Sequence, residues 1–151
     1  MIDRTLRRAT AGLAVAGAGI AAYLVYARYS GATIACATGG CETVQHSRYS
    51  TVAGIPVAVL GLGMFLVIGA SALTHEVRAA AVAASLALAG VVFAGYLLLV
   101  QVLVIGAICQ WCVASDATLA LLALTTVDRL RILRSDVQRP HGFPRAAPRA
   151  E

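Results

Sequence analysis

Residues 56–104, PVAVLGLGMFLVIGASALTHEVRAAAVAASLALAGVVFAGYLLLVQVLV, hold two long apolar runs interrupted only by THEVR. A helix rises about 1.5 Å per residue and a bilayer's hydrocarbon is about 30 Å thick, so about 20 apolar residues are enough to cross it. So short a polar break leaves room only for a tight turn. Segments 56–73 and 79–104 are therefore expected to form an antiparallel helical hairpin. The same signal appears on either side, in AGLAVAGAGIAAYLVYA at 11–27 and CQWCVASDATLALLALTTV at 109–127. The prediction is an all-α integral membrane protein: a four-transmembrane-helix bundle in one domain, 1–128, followed by a basic, proline-containing tail, 129–151, expected to be a short interfacial helix end and then disordered. The apolar QVLVIGAI at 101–108 either finishes the third helix or lies along the membrane surface.

Composition agrees. Of 151 residues, 60% are hydrophobic and 13% charged, with a mean hydropathy of +0.82, which excludes an ordinary soluble domain. The formal charge of +5 comes from arginine alone, since the chain has no lysine. These arginines gather at helix ends and in the tail rather than in a stripe interleaved with aromatics, so no nucleic-acid partner is expected.

Arginine placement also sets an orientation, because translocating positive charge is disfavoured. Ten arginines (4, 7, 8, 78, 129, 131, 134, 139, 145 and 149) fall on one side of the four spans and two (28 and 48) on the other. Both termini are thus expected in the cytoplasm. The segment MIDRTLRR before an apolar run also has signal-peptide character, but the run is long for one. The stretch between the first two spans, RYSGATIACATGGCETVQHSRYSTVAGI, becomes an outer loop.

All four cysteines then share the outer side. Cys36 and Cys41 lie in the loop, and Cys109 and Cys112 at the outer end of the last span. Structural disulfides, a four-cysteine zinc site and inert thiols are the plain alternatives to redox chemistry. A bridge between Cys109 and Cys112 closes too small a ring to restrict the unfolded chain much, and it strains a helical turn. Strained bridges are the labile, oxidising ones. If the helix begins near residue 109, its unpaired N–H groups and dipole favour a Cys109 thiolate. Cys112, one turn further in, then faces the apolar bundle, within reach of a lipid-soluble acceptor. Four cysteines still allow three fully paired connectivities.

The segments CATGGCETVQHSRYSTVAGIPVAVLG (36–61), YLLLVQVLVIGAIC (96–109) and CQWCVASD (109–116) together resemble the vitamin K epoxide reductase family, in its bacterial branch that oxidises disulfide-forming partners. The resemblance covers roughly residues 10–127 and implies a location in the bacterial inner (cytoplasmic) membrane, with the cysteines on the outer face. It implies a loop with a short half-helix, a separate thioredoxin-fold partner and a membrane quinone, menaquinone or ubiquinone, as electron acceptor. It also implies roles: Cys36 exchanges with the partner, Cys41 shuttles, Cys109 is attacked by the loop thiol, and Cys112 stands beside the quinone. Ser47 matches the family's loop serine. The chain has no asparagine to match the one that holds the vitamin K head group in vertebrate members, and Asp116 stands where they carry a tyrosine. Those departures speak against epoxide reduction, which remains with metal binding as an alternative.

Among the other candidates, Asp116 either relays a proton to the quinone or favours the helix N-terminus through its dipole. Trp111 is either an interfacial anchor or a wall of the quinone site. Tyr49, two residues after Ser47, is the tyrosine placed to touch a quinone. His46, His75 and Glu76 read as solvated loop and turn residues. Pro56 suits the first turn of a helix.

Overall fold

The computed structural model describes residues 2–138. Its elements are α1 (Ile2–Ser30), α2 (Cys41–Gln45), a 3-10 turn (Arg48–Ser50), strands β1 (Thr51–Val52) and β2 (Ile55–Pro56), α3 (Val57–Ser71), α4 (Val77–Val100), a π-type turn (Gln101–Ile105) and α5 (Gln110–Gln138). Helix α5 packs on α4 and α1, and α1 packs on α3. The contacts are made by small residues. Ala80, Ala83, Ala84, Ala87, Gly90 and Ala94 form the buried face of α4, a spacing that lets helix backbones approach closely in an apolar solvent. Phe65, Ile68, Leu119 and Leu122 fill the space between them. Large apolar side chains such as Val15, Val92, Leu99 and Leu103 point outward, as they should where lipid replaces water.

Among the described residues, three helices, Asp3–Ser30, Val77–Ile105 and Gln110–Gln138, are long and apolar enough to cross a membrane. Helix α3 is apolar but has only 15 residues, about 22 Å against about 30 Å of hydrocarbon. The expected span 56–73 is therefore shorter than hydropathy suggested. Pro56 is taken by a two-strand hairpin that the all-α expectation lacked, and Ala72 and Leu73 by the turn that follows. The antiparallel hairpin pairs Thr51 with Pro56 and Val52 with Ile55. Its two-residue turn puts Ala53 at φ 51 and Gly54 at φ 82, the left-handed pair that such tight turns require.

The chain also extends its helices past the apolar runs. The first begins at Ile2 rather than near 11, and the last continues to Gln138 rather than ending near 127. Residues 129–138, expected as a short helix end, continue α5; 139–151, expected to be disordered, lie outside the described residues. Arg129 accounts for part of this. It is only 1% exposed, and its guanidinium donates to Ser71 O at 2.8 Å, to Thr74 O and to Asp3 Oδ1 at 3.4 Å. That ties α5 to α1 and to the α3–α4 turn. His75 is likewise more than a solvated turn residue, lying 3.5 Å from Asp3 and in contact with Arg7. The start of α1, the Arg129 region of α5 and the α3–α4 turn thus share one end of the bundle, and all four cysteines share the other.

Candidate functional site

The site is built where α4 ends. Gln101, buried in the π-type turn, accepts the Cys109 backbone N–H on its Oε1 at 2.9 Å. This fixes the approach to α5 across residues 106–109. Cys109 occupies the position before the first helical residue. Its carbonyl accepts from Val113 N at 3.1 Å, and its sulfur accepts the Cys112 N–H at 3.3 Å, so the sulfur does the work of an N-cap side chain. The Cys112 thiol, hydrogen-bonded to it, holds the Cys109 thiol below the ordinary range, at about 7, against the opposing effect of burial; backbone N–H groups of Cys112 and Trp111 and the Gln45 amide add to the lowering.

The loop pair sits against this end. Cys36 and Cys41 are joined by a disulfide, while Cys109 and Cys112 are free thiols. Cys36 is half-buried. Cys41, the first residue of α2, and Cys109 are each 0% exposed, and they share one cluster with Val44, against which Cys36 and Cys112 pack. The backbones preceding the two inner cysteines touch. A Cβ on Gly40 would lie 2.6 Å from Ile108 O and 2.8 Å from Ile108 N, so only glycine lets the loop approach this closely.

Further hydrogen bonds fasten the loop to the start of α5. Gln110 Oε1 accepts from Ala37 N at 2.9 Å and Gln110 Nε2 donates to Ala35 O at 3.4 Å. Trp111 Nε1 donates to the same carbonyl at 2.7 Å, and Thr38 Oγ1 donates to Ile108 O at 2.8 Å.

Behind Cys112 lies a cavity of about 210 Å³ enclosed mainly by aliphatic and aromatic side chains; its polar lining includes Gln45, Ser47, Tyr49, Gln101 and Asp116. Gln45 Nε2 approaches Cys112 Sγ at 3.6 Å. Asp116 Oδ2 is buried and has no hydrogen-bond partner. Ser47 donates its hydroxyl to Val44 O at 2.8 Å, which closes the end of α2, and Tyr49 Oη accepts from Arg48 at 2.8 Å.

Of the residues singled out in the sequence, Cys112, Ser47, Tyr49 and Asp116 meet at this cavity. Cys36, Cys41, Cys109 and Cys112 meet in the sulfur cluster. Trp111 stays outside the cavity: it packs against the sulfur cluster, its ring lies on Tyr23 with centroids 5.1 Å apart, and its N–H is occupied by the loop. Sequence reasoning passed over Gln45 and Gln101. Gln101 carried a signal, as the one polar residue within LLLVQVLVI, one short step before the second cysteine pair.

No curated protein matches the chain. The sequence pattern of the vitamin K epoxide reductase family matches residues 8–127. That match takes in every element from the greater part of α1 to the apolar portion of α5, both cysteine pairs and the cavity between them, and the chain belongs to the vitamin K epoxide reductase family.

Proposed function

We propose that this membrane oxidoreductase is a thiol oxidase: it takes electron pairs from a separate thioredoxin-fold protein outside the cytoplasm and delivers them to a membrane quinone, menaquinone or ubiquinone, in support of disulfide formation. The observation that carries this reading is the graded burial of the sulfurs. Cys36 is half-exposed, Cys41 and Cys109 are sealed in one cluster, and Cys112 lines the apolar cavity. The reading also makes α3 a fourth span, puts both termini in the cytoplasm and sets the protein in the bacterial inner membrane with its cysteines outward. The excess of arginine at the cysteine-free end supports that orientation.

In this scheme a partner thiolate attacks Cys36 Sγ, and Cys41 leaves as thiolate. The partner's second thiol then takes over the mixed bond, releasing Cys36 and leaving the partner oxidised. Cys41 attacks Cys109 of an oxidised helix pair, forming a Cys41–Cys109 bond and expelling Cys112 as thiolate. Cys36 then attacks Cys41, restoring the loop disulfide and freeing Cys109. The electron pair has moved to the helix pair, the distribution found here: loop disulfide, helix thiols.

The cavity's donor set fits a quinone head group. Its volume exceeds the roughly 150 Å³ that admits benzene to an engineered apolar cavity, and it offers a sulfur and an unpartnered carboxylate oxygen, beside a few neutral polar groups, in a mainly apolar wall. When bound, a quinone supplies an acceptor for two electrons and two protons. Cys112 would meet it, Asp116 would hold or give a proton at Oδ2, and Ser47 and Tyr49 would shape the opposing wall. The metal-binding alternative needs four thiolates, and two of the four sulfurs are bonded to each other.

The test mixes the purified protein with a reduced thioredoxin-fold dithiol protein and a soluble quinone, and follows quinone absorbance. Wild type should turn over, whereas Cys36→Ser and Cys112→Ser should not. Activity in all three would refute the relay.

A further inference from the structure

Gln110 and Trp111, the two residues between Cys109 and Cys112, do not line the cavity; the Trp111 ring packs instead against the cluster of Cys41, Val44 and Cys109. Their polar atoms reach the loop on both sides of Cys36. Ala37, after it, gives its N–H to Gln110; Ala35, before it, receives hydrogen bonds from Gln110 and Trp111. Tyr23, which packs on the Trp111 ring, accepts the Ala35 N–H on its hydroxyl at 3.0 Å. Both backbone groups of Ala35 are therefore tied to the Trp111–Tyr23 pair. With Gly40 resting on Ile108, the loop disulfide is fastened next to each of its two cysteines.

We propose that Gln110 and Trp111 are positioning residues that hold the loop pair in register with Cys109 for exchange between the two pairs. This role rests on the relay proposed above. The exchange needs Cys41 to reach Cys109 as the Cys109–Cys112 bond breaks and Cys112 leaves as thiolate; Cys36 must then reach Cys41 as the Cys41–Cys109 bond breaks. Both are displacements along a sulfur–sulfur axis, and their rates depend on how much of the time the sulfurs are aligned. Without the Gln110 and Trp111 bonds the loop keeps Thr38 and Gly40 on Ile108 but loses its ties to α5 on either side of Cys36, and the sulfurs are aligned for less of the time. The spacer of the helix pair thus acts on the loop, while the quinone side is left to Gln45, Asp116 and the cavity wall.

Removing the Trp111 N–H and the Gln110 amide deletes the two shorter of their three bonds along with the longer one. At about 1 kcal/mol, or about five-fold, for each of the shorter pair, transfer between the pairs should slow about 25-fold in Gln110→Ala/Trp111→Phe. The experiment uses the full chain in detergent, fully oxidised, mixed with reduced dithiothreitol in the absence of quinone, quenched with acid, labelled with an alkylating mass tag and read by peptide mass. Labelling of Cys36 and Cys41 reports loop reduction. The part of Cys109 and Cys112 labelling that is lost in Cys41→Ser reports transfer between pairs. A separate single-turnover reduction of menadione by the pre-reduced chain reports the cavity side.

The expected result is wild-type loop reduction, wild-type menadione turnover and the 25-fold loss confined to transfer. Gln110→Glu, which keeps an acceptor for the Ala37 N–H, should recover part of that loss relative to Gln110→Ala. Unchanged transfer in the double variant would overturn the clamp alone, and equal loss in all three steps would reduce it to a folding contribution. Wild type lacking any Cys41-dependent transfer would overturn the relay itself, and the clamp with it.

Discussion

Replacing Arg129 by Met should unfasten the end of the bundle opposite the cysteines. The side chain is 1% exposed, and Met keeps most of its stem volume while deleting the donors to Ser71 O, Thr74 O and Asp3. Hydrogen bonds from a charged donor are worth about 1.5–3 kcal/mol each, and breaking a buried charge cluster by removing one member typically costs about 3–5 kcal/mol. The two carbonyl bonds alone reach that range. Asp3 adds less, because it is 26% exposed and stands 3.4 Å away. For a chain of this size the loss corresponds to a Tm lower by about 6–20 °C. Asp3→Asn should lower it by a few degrees at most, as a partly solvated pair does. Scanning fluorimetry of Trp111, the single tryptophan, would read both transitions. At low temperature Arg129→Met should still reduce quinone at the wild-type rate, since the sulfur cluster lies at the far end. A Tm change below about 2 °C, or a larger change in Asp3→Asn, would refute the assignment of Arg129 as the lock.

Two further outcomes concern the site. In the reduced protein, iodoacetamide should label Cys109 with a pH midpoint near 7 rather than at the ordinary thiol value of about 8.5. The sign follows from a lowered thiol: the thiolate, and the stability it contributes, persist above the ordinary value and are lost as pH falls through 7. Cys112→Ala, which removes the main hydrogen bond, should raise the midpoint, and a wild-type midpoint of 8.5 would contradict the capping geometry. Gly40→Ala should push the loop off Ile108, because its new Cβ falls 2.6 Å from a backbone oxygen. Such overpacking costs about 1–3 kcal/mol, and Cys41-dependent labelling of Cys109 should slow by at least ten-fold; an unchanged rate would show that the backbones need not touch.

The membrane character, a tight turn between the second and third helices, found at 72–76 rather than 74–78, and the grouping of both cysteine pairs at one end were legible, because hydropathy and arginine placement report the solvent around each segment. The ends of α1 and α5 were not. Residues such as Arg4, Arg8, Arg131 and Arg134 interrupt the apolar signal, yet helix formation follows hydrogen bonding and propensity and continues through them. Arg129 looked like one more positive charge on the cytoplasmic side because its partners lie 55 to 126 residues away. Trp111 and Cys112 are neighbours in sequence but about 100° apart around a helix, so one can line the cavity while the other faces the loop. Which cysteines are bonded lay beyond the sequence for the same reason, since spacing alone leaves three pairings open.

The shortness of α3 has a consequence for the lipid. If this helix completes a fourth crossing, it falls about 8 Å short of the hydrocarbon thickness, and its neighbours do not. Hydrophobic mismatch on that one flank must draw the headgroups inward or admit the hairpin and the 3-10 turn to acyl-chain depth. Arg28, whose guanidinium donates to Gln45 O and Ser50 Oγ, already satisfies polar groups there. Annular lipids on the α3 side would then be dimpled toward the sulfur end, so that acyl-chain length becomes a variable that sorts or tunes this protein among membranes of different thickness.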